Sequence, residues 1–318
     1  MSAKPIVAII GGTGLLGYDF TTAFLTEFKT HFSEIRVISR DPSSQKAQEL
    51  TAKGAKPFKL DEPSLSKALD EAFAGVDVVI DLLSHGFIPL ETSHGVLEAV
   101  ARSPAKVFFL SEWGGDYREP LFPGLELPVW ELKRQLATKA RSLMKDKKVI
   151  SVYTSGFLEL VFRPGVSVAR RTYWIKVPAD EIQCIGPASQ RITFTSMTDI
   201  GRASARLSLL ALDPATASKV PDHVHTAGTT VSIAEMRDLL TRYTGKTPEI
   251  KSEDLTAARE RLKGDASNAH ILDYVRIASA EGKVDYSGNN DNELVNPGES
   301  LWKWKTVEDE LREVTSQL

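Results

Sequence analysis

A single cysteine, Cys184, stands in 318 residues, which excludes an intrachain disulfide framework and fits a reducing compartment. Apolar runs of membrane-spanning length are missing, so no transmembrane helix is expected. The apolar run nearest the start, residues 6–10, is broken by Gly11 and is too short for the core of a signal peptide. These absences lead to the expectation of a cytoplasmic protein. Charge of one sign is scarce too: 39 Lys and Arg against 42 Asp and Glu leave a net charge of −3. Nothing in that balance argues for nucleic acid or an anionic membrane as a partner. Repeats and low-complexity segments are also lacking. The length suits one large or two unequal domains, ample to bury a core.

What the sequence does carry is organised around Ile6 to Gly17, IVAIIGGTGLLG. Five apolar residues read as a strand buried on both faces. Gly12-Thr13-Gly14-Leu15-Leu16-Gly17 then fits G-x-G-x-x-G and opens a helical run through Leu15, Leu16, Phe20, Ala23, Phe24 and Phe28. Gly11, Gly14 and Gly17 also keep the three-residue spacing of extended short-chain dehydrogenases. Glycine serves separable ends here: a tight turn, backbone approach to a pyrophosphate, and close helix–strand packing. The unpaired N–H groups at the helix start hold the phosphates.

The second strand, residues 35–39, ends in Ser39-Arg40, where a fold preferring NAD tends to place an acidic residue. A guanidinium suits a 2′-phosphate instead, and Lys46 adds a second positive charge, so the expected cofactor is NADP(H). Asp41, next in sequence, works against that reading. Helices and strands then alternate: helix 45–53, strand 56–60, helix 63–73, strand 76–83, helix 92–102, strand 106–110, helix 128–145 and strand 149–153. This predicts an α/β, doubly wound parallel sheet of the Rossmann type. Ligands of such sheets lie at the carboxyl ends of the strands, which singles out Ser84-His85-Gly86-Phe87, Ser111 to Asp116 and Thr154 to Phe157. His85 reads there as a ligand contact or a surface loop residue.

FFLSEWGGD, the later ELK and SVYTSGF resemble the isoflavone reductase-like branch of the NmrA-like family, among the atypical short-chain dehydrogenases. Its plant members carry Pro-Ser-Glu-Phe-Gly-x-Asp, here Leu110 to Asp116 with Leu110 for the proline and Trp113 for the phenylalanine. Their lysine after Phe-Glu-Val appears here in Trp130-Glu131-Leu132-Lys133. TSMTDIGRASARLSLL, Gly245-Lys246-Thr247 and a C-terminal helix near 307–315 extend the likeness over nearly the whole chain. The resemblance implies residues 1–155 as an NADP(H)-binding Rossmann domain, with a returning segment near 190–230, and 156–318 as a smaller, mainly substrate-binding C-terminal α/β domain. It further implies a reductase of a small aromatic, phenolic or polyketide-like compound, or a non-catalytic NADP(H)-sensing regulator. An isomerase or dehydratase on the same fold is a third reading. A small-molecule substrate is the expected partner, and a homodimer stays open.

In the second half, Ser232 to Glu235 has capping-box spacing and opens a helix to about Tyr243. His223 and His225 flank one valine on a strand and so share a face. Trp302 and Trp304 read as a covered edge or a lid. Arg163, Arg170, Arg171, Tyr173 and Trp174 flank the expected cleft. Many short-chain dehydrogenases use a tyrosine four residues before the lysine; that position is Val129 here. The resemblance therefore gives proton transfer or polarisation to Lys133, with Ser111 as the assisting hydroxyl. The candidate cofactor contacts are Gly11, Thr13, Gly14, Leu15, Leu16, Gly17, Arg40, Lys46, Ser84, Lys133 and Phe157. No metal site is expected.

Overall fold

Residues 6–10 are apolar on both faces because they form a central strand with helices packed above and below it. The computed structural model describes residues 3–162, 175, 177–264 and 271–317. The first part alternates as the hydrophobic pattern requires: β1 (Ile6–Ile10), α1 (Leu15–Thr26), β2 (Glu34–Ser39), α2 (Gln45–Ala52), β3 (Lys56–Lys59), α3 (Leu65–Phe73), β4 (Val78–Asp81), α4 (Leu90–Arg102), β5 (Val107–Gly114), α5 (Pro128–Leu143) and β6 (Lys148–Tyr153). Then follow β7 (Gly156–Phe157), α6 (Glu159–Phe162), β8 (Glu181–Ile185), β9 (Arg191–Thr195), α7 (Met197–Leu212), β10 (His223–His225), β11 (Thr229–Ser232), α8 (Ile233–Thr244) and β12 (Glu249–Glu253). The chain ends through α9 (Leu255–Gly264), α10 (Ile271–Ala280), α11 (Asn292–Val295) and α12 (Val307–Thr315).

Seven parallel strands form the main sheet in the order β10-β6-β5-β4-β1-β2-β3. It is a doubly wound, Rossmann-like sheet whose order reverses between β1 and β4. Its two faces are covered differently. Val7, Ile9, Phe109 and Val152 meet α1 and α7, whereas Ala8, Ile10, Phe108 and Leu110 meet α3, α4 and α5. Two small sheets, β11-β9-β7 and β12-β8, enclose a third core with α8 to α10 and α12. Ser232 caps α8 through the Glu235 N–H, and the Glu235 carboxylate returns to the Ser232 N–H, completing the box read from sequence. Trp302 and Trp304 form no lid: both are buried in the α1/α7 core with rings 5.3 Å apart. Arg163, Arg170, Arg171, Tyr173 and Trp174 lie outside the described residues. Among the described residues no helix is long and apolar enough to cross a membrane.

The contact that seats α7 on α1 is made by a missing side chain. A Cβ on Gly201 would stand 2.5 Å from the Phe20 carbonyl oxygen and 3.1 Å from the Ala23 methyl. Alanine in place of a helical glycine gains about 1 kcal/mol in propensity, but overpacking against backbone costs about 1–3 kcal/mol. The obstacle here is a carbonyl that cannot swing aside, so overpacking wins. Gly201→Ala should lower the unfolding free energy by about 1–2 kcal/mol, read as a reduced urea midpoint at unchanged slope.

Candidate functional site

The glycine turn sits between β1 and α1 with each glycine in a different surrounding. Gly11 has φ +76°, and a Cβ there would meet the Leu82 carbonyl at 3.2 Å. Gly17 lies so close beneath the turn that a Cβ would stand 2.1 Å from the Gly11 oxygen. Gly14, by contrast, meets only that oxygen, at 3.1 Å, and is otherwise open. It is the N-cap of α1 and offers no side chain to the free N–H groups of the first turn. Leu15 is exposed there, while Leu16 is buried in the core, so Leu16 has only its backbone to present.

Beside the turn, at the carboxyl end of β2, Thr13, Arg40, Ser44, Gln45 and Lys46 surround a cavity of about 420 Å³. Asp41 lies in the same wall, yet its carboxylate is spent on its own loop, taking the Ser43 N–H at 2.9 Å and the Ser43 hydroxyl at 2.6 Å. Those bonds hold it below the ordinary carboxylate range. Arg40 is exposed, and the Lys46 ammonium lies 5.3 Å from the Tyr18 ring centroid. The Ser39 hydroxyl just before them is buried without a hydrogen-bond partner among the described residues.

A second group of polar residues is buried between the sheet and α4/α5. The β5–β6 ladder breaks between Leu110 and Gly114, and Trp113 takes φ +30°. This bulge bends the strand where Ser111 and Glu112 leave it. The indole of Trp113 donates to the Asp81 carbonyl at 2.7 Å, and the Ser111 hydroxyl donates to the Leu83 carbonyl at 2.6 Å. Lys133, on α5, donates to the Glu112 carbonyl at 2.6 Å. Burial pushes the Lys133 ammonium below its ordinary value and the Glu112 carboxyl above its own, each partly opposed by the other's charge. Ser111, Glu112, Lys133 and His85 share a void of about 10 Å³, the size of one water.

His85 is not a surface loop residue. It is 6 % exposed, with Nε2 2.8 Å from Asp81 Oδ2 and Nδ1 2.7 Å from Ser93 Oγ. Ser84, one residue earlier, is exposed in the same loop.

A third group closes the carboxyl edge of β5, β6 and β10. Asp116 takes Arg118 in a fork, with Nε at 2.9 Å and Nη2 at 2.7 Å, and lies 3.0 Å from His225 Nε2. Tyr153 Oη lies 2.9 Å from His223 Nδ1, and burial beside Arg141 and Arg118 lowers His223 to about 4. His223 and His225 do share a face, both packed on the Tyr153 ring. Next to this edge opens a cavity of about 230 Å³, lined by Asp116, Tyr117, Trp130, Phe157, Val275 and Val284 among others. Phe157 thus reaches this cavity; Lys133 and Ser111 do not line it. The signal for Asp116 was present in the polar 111–116 loop, but its partner His225 comes from β10; Tyr117, just past that loop, carried none.

The family model of the NmrA-like family matches residues 3–309. The chain belongs to the NmrA-like family. Solved structures similar to this NmrA-like chain include a Vitis vinifera leucoanthocyanidin reductase ternary complex, 20% identical, TM-score 0.72, covering 98% of this chain and 99% of that one. An isoflavone reductase is 17% identical with TM-score 0.71, over 98% and 99%. A protein solved with NADP+ and (+)-pinoresinol is 17% identical with TM-score 0.73, over 99% and 100%. No curated protein matches by sequence.

The Asp116 cluster gives a pH test. Burial alone would raise its pKa, but His225 and Arg118 outweigh burial and hold it far below the usual value. A depressed folded pKa contributes stability that is fully present above the unfolded value and is lost as pH falls through the folded one. Asp116→Asn should therefore cost about 1–2 kcal/mol at pH 7, discounted for the half-exposed Arg118. The gap to wild type should narrow below about pH 4, measured by urea unfolding across the acid limb.

Proposed function

We propose that this NmrA-like chain is an NADPH-dependent reductase of a small aromatic, phenolic or polyketide-like compound. The observation that carries the reading is the uncapped turn at Gly14 beside a cationic cavity of about 420 Å³ that holds Arg40 and Lys46. The fit to a phosphorylated dinucleotide is specific in three respects. Gly14 is open where a Cβ would otherwise stand, the α1 N–H groups lack side-chain acceptors, and the Ser39 hydroxyl is buried without a partner among the described residues. The similarity to a reductase and to a protein solved with NADP+ and (+)-pinoresinol supports the same cofactor and a planar, oxygenated substrate.

In this reading Gly11, Thr13, Gly14 and Gly17, with the N–H groups of Leu15 and Leu16, hold the pyrophosphate. Arg40 and Lys46 take the 2′-phosphate, which a guanidinium grips bidentately. Ser84 and Phe157 flank the cofactor further along the strand ends. When bound, NADPH supplies a hydride. Lys133 holds the compensating proton at Nζ, and its lowered pKa eases the release of that proton to an oxygen gaining negative charge. Ser111 orients substrate or the nicotinamide ribose through its hydroxyl. Val129 has no group to offer in its place.

Two measurements test this. NADPH should bind at least about tenfold more tightly than NADH, about 1.4 kcal/mol, and Arg40→Ala should remove most of the difference in calorimetric titration. Equal affinities in the wild type would overturn the cofactor assignment. After a screen of NADPH oxidation over phenolic and enone compounds, Lys133→Ala should lower kcat by about 10²–10⁴-fold. NADPH affinity should stay within a few-fold, and Lys133→Arg should rescue poorly because a guanidinium keeps its proton. Full turnover in Lys133→Ala would remove the lysine from the mechanism. Nucleotide binding with no turnover on any compound would favour the sensing regulator.

A further inference from the structure

The cavity of about 230 Å³ is mostly apolar, and its few polar groups can be taken one at a time. Asp116 has both carboxylate oxygens engaged by Arg118 and His225. Ser155 donates its hydroxyl to the Val284 carbonyl at 3.2 Å. Lys283 is ion-paired with Glu281 at 3.3 Å. Two side-chain donors remain, the phenol of Tyr117 and the indole N–H of Trp130, for whose protons no described residue provides an acceptor, and the phenol is the one at the outer end of its ring.

Tyr117 is also held in place. Its ring stacks on Trp130 at 4.4 Å with planes 15° apart, and Trp130 is braced edge-on by Tyr274 at 5.6 Å. Its carbonyl accepts from Arg134 Nη1 at 3.0 Å, while Arg134 pairs with Glu131 at 2.8 Å on the same helix. The phenol crosses the chain at Gly115, where a Cβ would lie 2.8 Å from its oxygen. Only a residue without a side chain leaves the ring that path. Burial pushes the phenol up to about 12, partly opposed by the Gly115 backbone, so the proton stays on at neutral pH.

We propose that Tyr117 determines ligand choice in this cavity, donating a hydrogen bond to a carbonyl oxygen on a planar ligand lodged beside the Tyr117–Trp130 stack. This deepens the reductase reading and rests on it for the cavity's use as the substrate site. A neutral donor in an apolar pocket discriminates strongly, because a ligand lacking the oxygen leaves that donor unpaired. Lys133 sits one turn further along α5 than Trp130 and outside the lining, so the carbonyl held by Tyr117 is a different oxygen from the one Lys133 protonates in the reductase reading.

The test uses the full-length protein and two near-isosteric probes, 2-acetylnaphthalene and 2-isopropenylnaphthalene, which differ by an oxygen for a methylene. Binding is followed by calorimetry with and without NADP+. Wild type should favour the ketone by about tenfold or more. Tyr117→Phe, which keeps the ring on Trp130, should bring the ratio to about one with the alkene affinity nearly unchanged. Tyr117→Leu should weaken both probes by removing the stacking surface. A ketone preference that persists in Tyr117→Phe overturns the assignment of Tyr117 and leaves the reductase reading intact. Failure of wild type to bind either probe, with NADPH still bound, overturns the cavity as a planar-ligand site and the proposal with it. A near-ultraviolet circular dichroism spectrum that keeps its tryptophan bands confirms that Tyr117→Phe is folded.

Discussion

The closeness of Gly17 to the Gly11 carbonyl is the constraint on which the architecture rests. With no side chain between them, α1 drops onto the end of β1, and its first turn points open N–H groups out of the sheet. The same descent brings Phe20 against Trp113 at 5.4 Å and lets α7 settle at Gly201. Trp302 and Trp304 then fill the space that α7 leaves beside the sheet. A larger residue at position 17 would tilt α1 and displace each of these layers in turn, since close-packed interiors transmit strain instead of absorbing it.

On the opposite face the packing is not purely apolar. Asp81, His85 and Ser93 form one hydrogen-bonded line, and Glu112 and Lys133 lie beside it. Burying charges costs free energy unless they are paired or neutralised. Here the carboxyl and the ammonium are both displaced toward their neutral forms. The β5 bulge creates this group by turning Ser111 and Glu112 out of the regular ladder, and α5 completes it with one lysine. Stability on this face and the lowered basicity of Lys133 therefore draw on the same residues.

How much of this could be read from sequence depends on whether the cause was local. The glycine turn, the alternation of strands and helices, the capping box at Ser232 and the cationic residues after β2 are local patterns, and the structure places each where the pattern put it. Strand β5 was expected to end at Leu110 but runs to Gly114, because the bulge depends on β6 and on the Trp113 indole reaching Asp81. His85 read as a loop residue because its partners, Asp81 and Ser93, flank it on different elements. Tyr117 had no distinguishing signal: its meaning comes from Trp130 and Gly115 together, and neither is helical neighbour to it. Leu16 fitted the nucleotide motif by position, while its side chain belongs to the core.

The edge strand β10 has a further consequence, for the order in which the molecule assembles. It pairs in parallel with β6, yet His223 follows Tyr153 by 70 residues. Closing a loop of that length costs about 4 kcal/mol of chain entropy before any pairing is gained. While the intervening segment is being made, β6 presents a bare edge, the kind of surface that recruits other chains. A nascent chain reaching only residue 160 is therefore an adhesive intermediate and not a finished sheet. Tyr153 and Arg141 wait there for β10: Tyr153 Oη reaches His223, and Arg141 reaches the Asp222 carbonyl just before it. Their grip on the returning strand makes the last rung of the sheet the one that covers the bare edge of β6.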